Sequence, residues 1–198
     1  MGLRAAVGLI IIMLLLGACT KEQRRAQLLA ETERFAAEEL PDERLEAAVP
    51  AGFEFDSVVR NGPERHNNDW ITVGVRMTGP VDFARAIFYV HPGAKPAAVM
   101  YENQSDNAPD AWRMAQDAGA RRKNTPRPFT VDDLGIPNRC GVELAGLYRC
   151  HARMGRIYLV TESSAGGWPP GNKTTPQETK AARHLVEAFG DVLADLET

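Results

Sequence analysis

The chain has 198 residues, of which 44% are hydrophobic and 25% charged, and its formal net charge is −3. This composition is typical of a globular protein and excludes a disordered chain and an integral membrane protein of several spans. The mildly acidic balance gives no electrostatic basis for binding nucleic acid, and it adds no attraction to anionic lipid.

The N-terminal segment has the parts of a secretory signal. Arg4 supplies a positive charge, Ala5–Leu16 is an apolar run of about 12 residues, and Gly17, Ala18 and Cys19 follow. The run is shorter than the roughly 20 residues that cross a bilayer as a helix. The alternatives are an uncleaved transmembrane anchor and an ordinary secretory signal with an incidental cysteine.

The four residues Leu16-Gly17-Ala18-Cys19 resemble the lipobox of bacterial lipoproteins. The resemblance implies removal of residues 1–18 and acylation of Cys19 by two or three chains, since one chain anchors a protein only marginally. It places the protein on the extracytoplasmic side of the cell membrane or outer membrane, with the membrane as a partner through the lipid. Thr20 follows the cysteine, so there is no aspartate to indicate retention at the inner membrane of a two-membrane cell. The resemblance covers these four residues and implies no family for the folded domain.

A charged, alanine-rich segment follows. Residues 20–40 contain strong helix formers and no Gly or Pro, and their apolar residues form only a thin stripe. We predict a solvated helical spacer; the alternative is a helix docked on the domain or on a partner. The predicted parts of the chain are a signal peptide (1–18), a lipid-attachment and spacer segment (19–48) and one folded domain (49–198).

Alternating apolar and polar residues predict the strands of an antiparallel sheet. The predicted strands are Phe53–Arg60, Trp70–Thr78, Phe83–His91, a hairpin within Arg139–Met154, and Arg156–Glu162. A final helix begins at a capping box formed by Thr175 and Glu178, and its apolar residues recur at helical spacing. The expected fold is therefore α+β, with five or six antiparallel strands and a C-terminal amphipathic helix packed on one face.

Cys140 and Cys150 form an even pair, which indicates a disulfide in an oxidising compartment. A three-residue hairpin loop at 144–146, with Gly146 in the left-handed position, places the two cysteines directly opposite each other. A two-residue loop would place Gly141 opposite Cys150 instead. The alternatives are free thiols and a redox pair or metal site, although there is no Cys-x-x-Cys and only His151 is an adjacent candidate ligand.

Three features are candidate binding sites. Arg149, His151 and Arg153 would form a basic stripe on one strand face that could hold an anion, with a solvated strand face as the alternative. The other two features are loops that could contact a partner: the basic patch Arg121-Arg122-Lys123, and Trp168 within Gly-Gly-Trp-Pro-Pro-Gly. The alternatives are a solvated loop for the basic patch and a cover over the edge of the core for Trp168.

No motif for catalysis, for a cofactor or for a metal is present, so we predict no catalytic residue, no cofactor and no metal. The leading hypothesis is a non-catalytic envelope lipoprotein that binds another envelope component, most simply a protein, or accompanies a membrane complex. A small-molecule or ion sensor and a cell-envelope hydrolase are the alternatives, because a catalytic site can be assembled from distant residues.

Overall fold

The computed structural model describes residues 3–62, 69–105, 128–142, 147–164 and 176–197, with the backbone alone for 3–20, 142 and 197. In chain order the elements are α1 (Leu3–Glu39), α2 (Asp42–Ala47), β1 (Glu54–Asn61), β2 (Ile71–Thr78), β3 (Phe83–Val90), α3 (Ala94–Ser105), β4 (Asn138–Val142), β5 (Tyr148–Met154), β6 (Ile157–Ser164) and α4 (Pro176–Ala194). Single 3-10 turns lie at Asp132–Leu134 and Asp195–Glu197.

The strands form one six-stranded antiparallel sheet in the order β1-β2-β3-β6-β5-β4. Two three-stranded meanders lie side by side, and they meet where β3 pairs with β6. The predicted α+β fold, with its antiparallel sheet and its C-terminal helix packed against the sheet, is confirmed.

Helix α4 covers one face of the sheet, which we call the core face. The Phe189 ring lies edge-on to Phe88 with 6.0 Å between centroids, and both residues are fully buried. Gly190 packs closely against Leu134 in the 3-10 turn at Asp132–Leu134. A Cβ added at Gly190 would come within 2.6 Å of Leu134 Cδ1. A glycine inside a helix costs about 1 kcal/mol relative to alanine, so this close contact explains why glycine is present.

The register of the β4–β5 hairpin places Cys140 opposite Cys150, as predicted, and the two form a disulfide. Both are fully buried on the core face, where Cys150 Sγ lies 3.7 Å from the carbonyl oxygen of Ala182 in α4. The bond therefore ties the edge strand β4 to β5 beneath the C-terminal helix. The loop predicted at 144–146 lies outside the described residues.

Replacing both cysteines by alanine is expected to lower the free energy of unfolding by about 3 kcal/mol, the chain-entropy value for a loop this short. The bond joins residues 10 positions apart. Urea denaturation followed by circular dichroism measures the loss. Dithiothreitol should lower the midpoint of the parent chain and leave that of the double variant unchanged; a parent midpoint that ignores the reductant would contradict the prediction.

The last turns of α1 pack on the domain. Thr32 and Ala36 are buried four residues apart, on one side of the helix, and Leu40, which directly follows the helix, is buried as well. The Arg156 guanidinium, in the turn before β6, lies 3.4 Å from the centroid of the Phe35 ring. The predicted solvated helix therefore describes residues 21–31, whereas the second half of the segment docks on the domain, as the alternative had it, because its apolar stripe is buried there.

Arg60 of β1 holds the end of this helix. Its guanidinium donates hydrogen bonds to the carbonyl oxygens of Ala36 and Leu40, at 3.4 and 2.6 Å, and to Asp42 Oδ1 at 2.5 Å. A cation at a helix C-terminus satisfies carbonyl groups that have no partner within the helix.

Residues 21–31 are exposed apart from the half-buried Leu29. None of the helices in the described ranges has the length and apolar character needed to cross a membrane.

Candidate functional site

The second face of the sheet, which we call the polar face, has two distinct halves. Helix α3 packs on it over β5 and β6, where Tyr101 contacts the Tyr158 ring edge-on at 6.4 Å between centroids. We call this the covered half. Over β1, β2 and β3 the same face forms a groove of about 420 Å³, which we call the open half.

The covered half contains a buried carboxylate between two arginines. Glu162 of β6 is 2% exposed and lies in register with Arg85 of β3 and Arg149 of β5. Arg149 Nε donates to Glu162 Oε1 at 2.8 Å, and Arg85 Nε donates to Oε2. Burial alone would raise the pKa of Glu162, but the hydrogen bonds and charges of the two arginines outweigh it, so the pKa lies below its ordinary value.

His151 is buried beside this cluster. Its Nδ1 lies 2.6 Å from the Tyr158 hydroxyl, and the two rings stack with 5.9 Å between centroids. Burial, followed by the positive charge of Arg149, lowers the pKa of His151 to about 4. The imidazole is therefore neutral near pH 7 and belongs to an aromatic cluster that Tyr89 extends by stacking on Tyr158.

The structure brings the predicted stripe of Arg149, His151 and Arg153 to one face, as the strand alternation predicts. Two of the three do not form a free basic surface, since Arg149 is paired with Glu162 and His151 is 1% exposed. Arg153 is half-buried at the end of the stripe. The carboxylate that neutralises the stripe comes from a neighbouring strand, and sequence reasoning missed it.

The loop candidates Arg121, Arg122, Lys123 and Trp168 lie outside the described residues. Cys19 lies within α1, where only the backbone is described. In the part of the chain that the structure describes, no group of three His, Cys, Asp or Glu residues could hold a metal ion.

The open half combines arginine and aromatic side chains. Arg76 is exposed and has no ion-pair partner among the described residues. The residue directly opposite it on β3 is another arginine, Arg85. At the other end of the groove the Trp70 ring meets Tyr89 edge-on, with 6.5 Å between centroids. Between these ends Gly74 leaves room, since a Cβ added there would meet only a backbone oxygen at 3.7 Å.

This arrangement is suited to binding a ligand. The groove presents the exposed Arg76 guanidinium, a glycine floor and an aromatic end, and these features suit an extended anionic segment. Alternation along the predicted strand Trp70–Thr78 puts Thr72, Gly74 and Arg76 on one face, but only the pairing of β2 with β3 joins this face to Arg85 and Tyr89. Comparisons with protein-family models, with curated proteins and with solved structures give no significant match, so function must be inferred from the residues of this chain.

Proposed function

We propose that the chain is a lipid-anchored, non-catalytic protein of the bacterial envelope that binds an acidic segment of another envelope protein on the open half of the polar face. The observation that carries this proposal is Arg76, an exposed arginine without an ion-pair partner in the described residues, at one end of a groove that ends in Trp70 and Tyr89. Arg, Trp and Tyr are the residue types enriched where protein interfaces gain most of their binding energy.

Two further features support a binding role. Glu162 is held by two arginines and the His151 ring nitrogen meets a tyrosine hydroxyl, so both groups serve the packing of the covered half. The lipobox-like Leu16-Gly17-Ala18-Cys19 supports lipid attachment at Cys19 and an extracytoplasmic location. A protein held at the membrane by its N-terminus would meet partners that are confined to the same surface.

Replacing Arg76 by glutamate is expected to remove the partner, because the substitution puts a negative charge where the acidic segment binds. The measurement is native mass spectrometry of the full-length chain after gentle extraction from its own membranes. The parent chain should carry an added protein mass, and the R76E variant should carry at most about one tenth of it.

Lys180→Glu is the matched control, because it makes the same change of net charge at an exposed position of α4, on the core-face side of the sheet. This variant should keep the partner. Retention of the partner by R76E, or equal loss from both variants, would show that the open half is not the interface.

A further inference from the structure

A second groove, which we call the His91 groove, lies where the start of β2, the end of β3 and α3 come together. Its volume is about 700 Å³, within the range of pockets that bind small molecules. It is lined by Asp69, Trp70, His91, Pro92, Lys95, Pro96, Val99, Met100 and Asn103. The lining is largely apolar, and none of the candidate residues from the sequence lies in it.

His91 is the unusual residue of this groove. It is 3% exposed, and its Nε2 has no hydrogen-bond partner among the described residues. The backbone is held in place, because the His91 amide donates to the Arg156 carbonyl oxygen at 2.9 Å. Burial lowers the pKa of His91, so the ring is neutral near pH 7. A buried polar atom without a partner costs free energy, and a ligand that supplies the partner recovers it.

The same groove also has an apolar side chain that is exposed to solvent. Val99 is 48% exposed, one of the large apolar side chains that the described part of the chain leaves in solvent. Trp70 forms another wall, with its ring 5.5 Å from the His91 ring. A buried polar group beside exposed apolar groups is the reverse of normal burial. An apolar ligand with one polar atom would cover the apolar side chains and give the buried nitrogen a hydrogen-bond partner.

We propose that the His91 groove binds a small, largely apolar molecule that carries one hydroxyl group. A hydroxyl can donate or accept a hydrogen bond, so it satisfies Nε2 in either neutral tautomer of the ring. A water molecule is a poor substitute, because buried water is retained by several polar partners and the walls here are mainly apolar. Lys95, the cation among the described lining residues, is exposed, so it would not offset the cost of burying an anionic group beside His91.

The probe that tests this proposal is 4-(trifluoromethyl)phenol, with trifluoromethylbenzene as the matched compound without the hydroxyl. Binding to the full-length chain in lipid nanodiscs is followed by the ¹⁹F resonance of each probe, with empty nanodiscs as the blank. The parent chain should bind the phenol more tightly than the benzene. His91→Phe keeps an aromatic ring and removes the nitrogens, so it should weaken phenol binding about tenfold and leave benzene binding unchanged.

A second variant keeps the test independent of how well His91→Phe folds. Val99→Asp changes an exposed side chain at the groove and should weaken binding of both probes at least about tenfold, because it puts a charge beside an apolar ligand. Glu102→Gln, an exposed α3 position that does not line the groove, should leave both affinities unchanged. Equal phenol affinity in the parent chain and His91→Phe, or unchanged affinity in Val99→Asp, would overturn the proposal.

Discussion

Replacing Glu162 by glutamine is expected to lower the free energy of unfolding by about 3 kcal/mol near pH 7. Removing one partner of a buried ion pair costs about 3–5 kcal/mol, and the low end applies because Arg85 and Arg149 keep 40% and 24% of their side-chain exposure. Glutamine keeps the shape of the side chain but leaves two guanidinium groups facing each other without a carboxylate. Urea denaturation measures the difference.

The dependence on pH identifies the cause. The pKa of Glu162 is lowered in the folded state, so its stabilising effect is complete above the unfolded pKa of about 4.3 and is lost as pH falls through the folded value. The difference between the parent chain and the glutamine variant should be constant from about pH 6 to 8 and should shrink below about pH 4. A difference that persists unchanged in acid would show that packing, not charge, is responsible.

Glu187→Gln is the matched control. Glu187 pairs with Arg183 on the surface of α4, with side-chain exposures of 39% and 50%. Exposed pairs of this kind contribute about 0.5 kcal/mol or less. A loss in this variant as large as that in Glu162→Gln would contradict a special role for the buried cluster.

Replacing Phe189 by alanine is expected to lower the free energy of unfolding by about 3–5 kcal/mol, the usual cost of truncating a buried phenylalanine. Phe189 is fully buried, and its ring contact with Phe88 fixes α4 across the middle of the sheet. Such a loss is a large share of the stability of an ordinary domain, so thermal unfolding should begin well below that of the parent chain. Differential scanning calorimetry measures the shift.

Leu28→Ala provides the comparison, because this side chain on α1 is 47% exposed and its truncation should change stability by about 0.5 kcal/mol or less. If Phe189→Ala were as mild as Leu28→Ala, the C-terminal helix would not be the element that covers the core face.

The sequence predicts the parts of this fold that depend on local pattern. The alternation of β2 is reproduced in its burial, and the hairpin register follows from pairing Cys140 with Cys150. The pattern fails for β6, where every residue is buried because α4 lies on one face and α3 on the other. A central strand that is covered on both faces does not alternate between buried and exposed residues. Nothing in the local pattern therefore indicates that the Glu162 side chain is buried.

The candidate site was harder to predict, because its members come together only through strand pairing. Arg85 is 77 positions from Glu162, and nothing local to either residue indicates the contact. His91 could be read from the sequence only as a histidine at a strand end before a proline. Its contact with Trp70 depends on the pairing of β2 with β3, which sets Ile71 opposite Val90.

The docking of α1 has a consequence for how the domain would move in the cell. From Thr20 the helix runs without a break to its buried turns, and residues 20–31 correspond to about 18 Å of helical rise. A flexible linker of equal length would reach about as far on average, but in every direction. An acylated Cys19 would instead hold the domain at a set height and tilt. A neighbour in the same bilayer would then lose less rotational freedom on associating with it, and a weak surface contact would be enough for recognition.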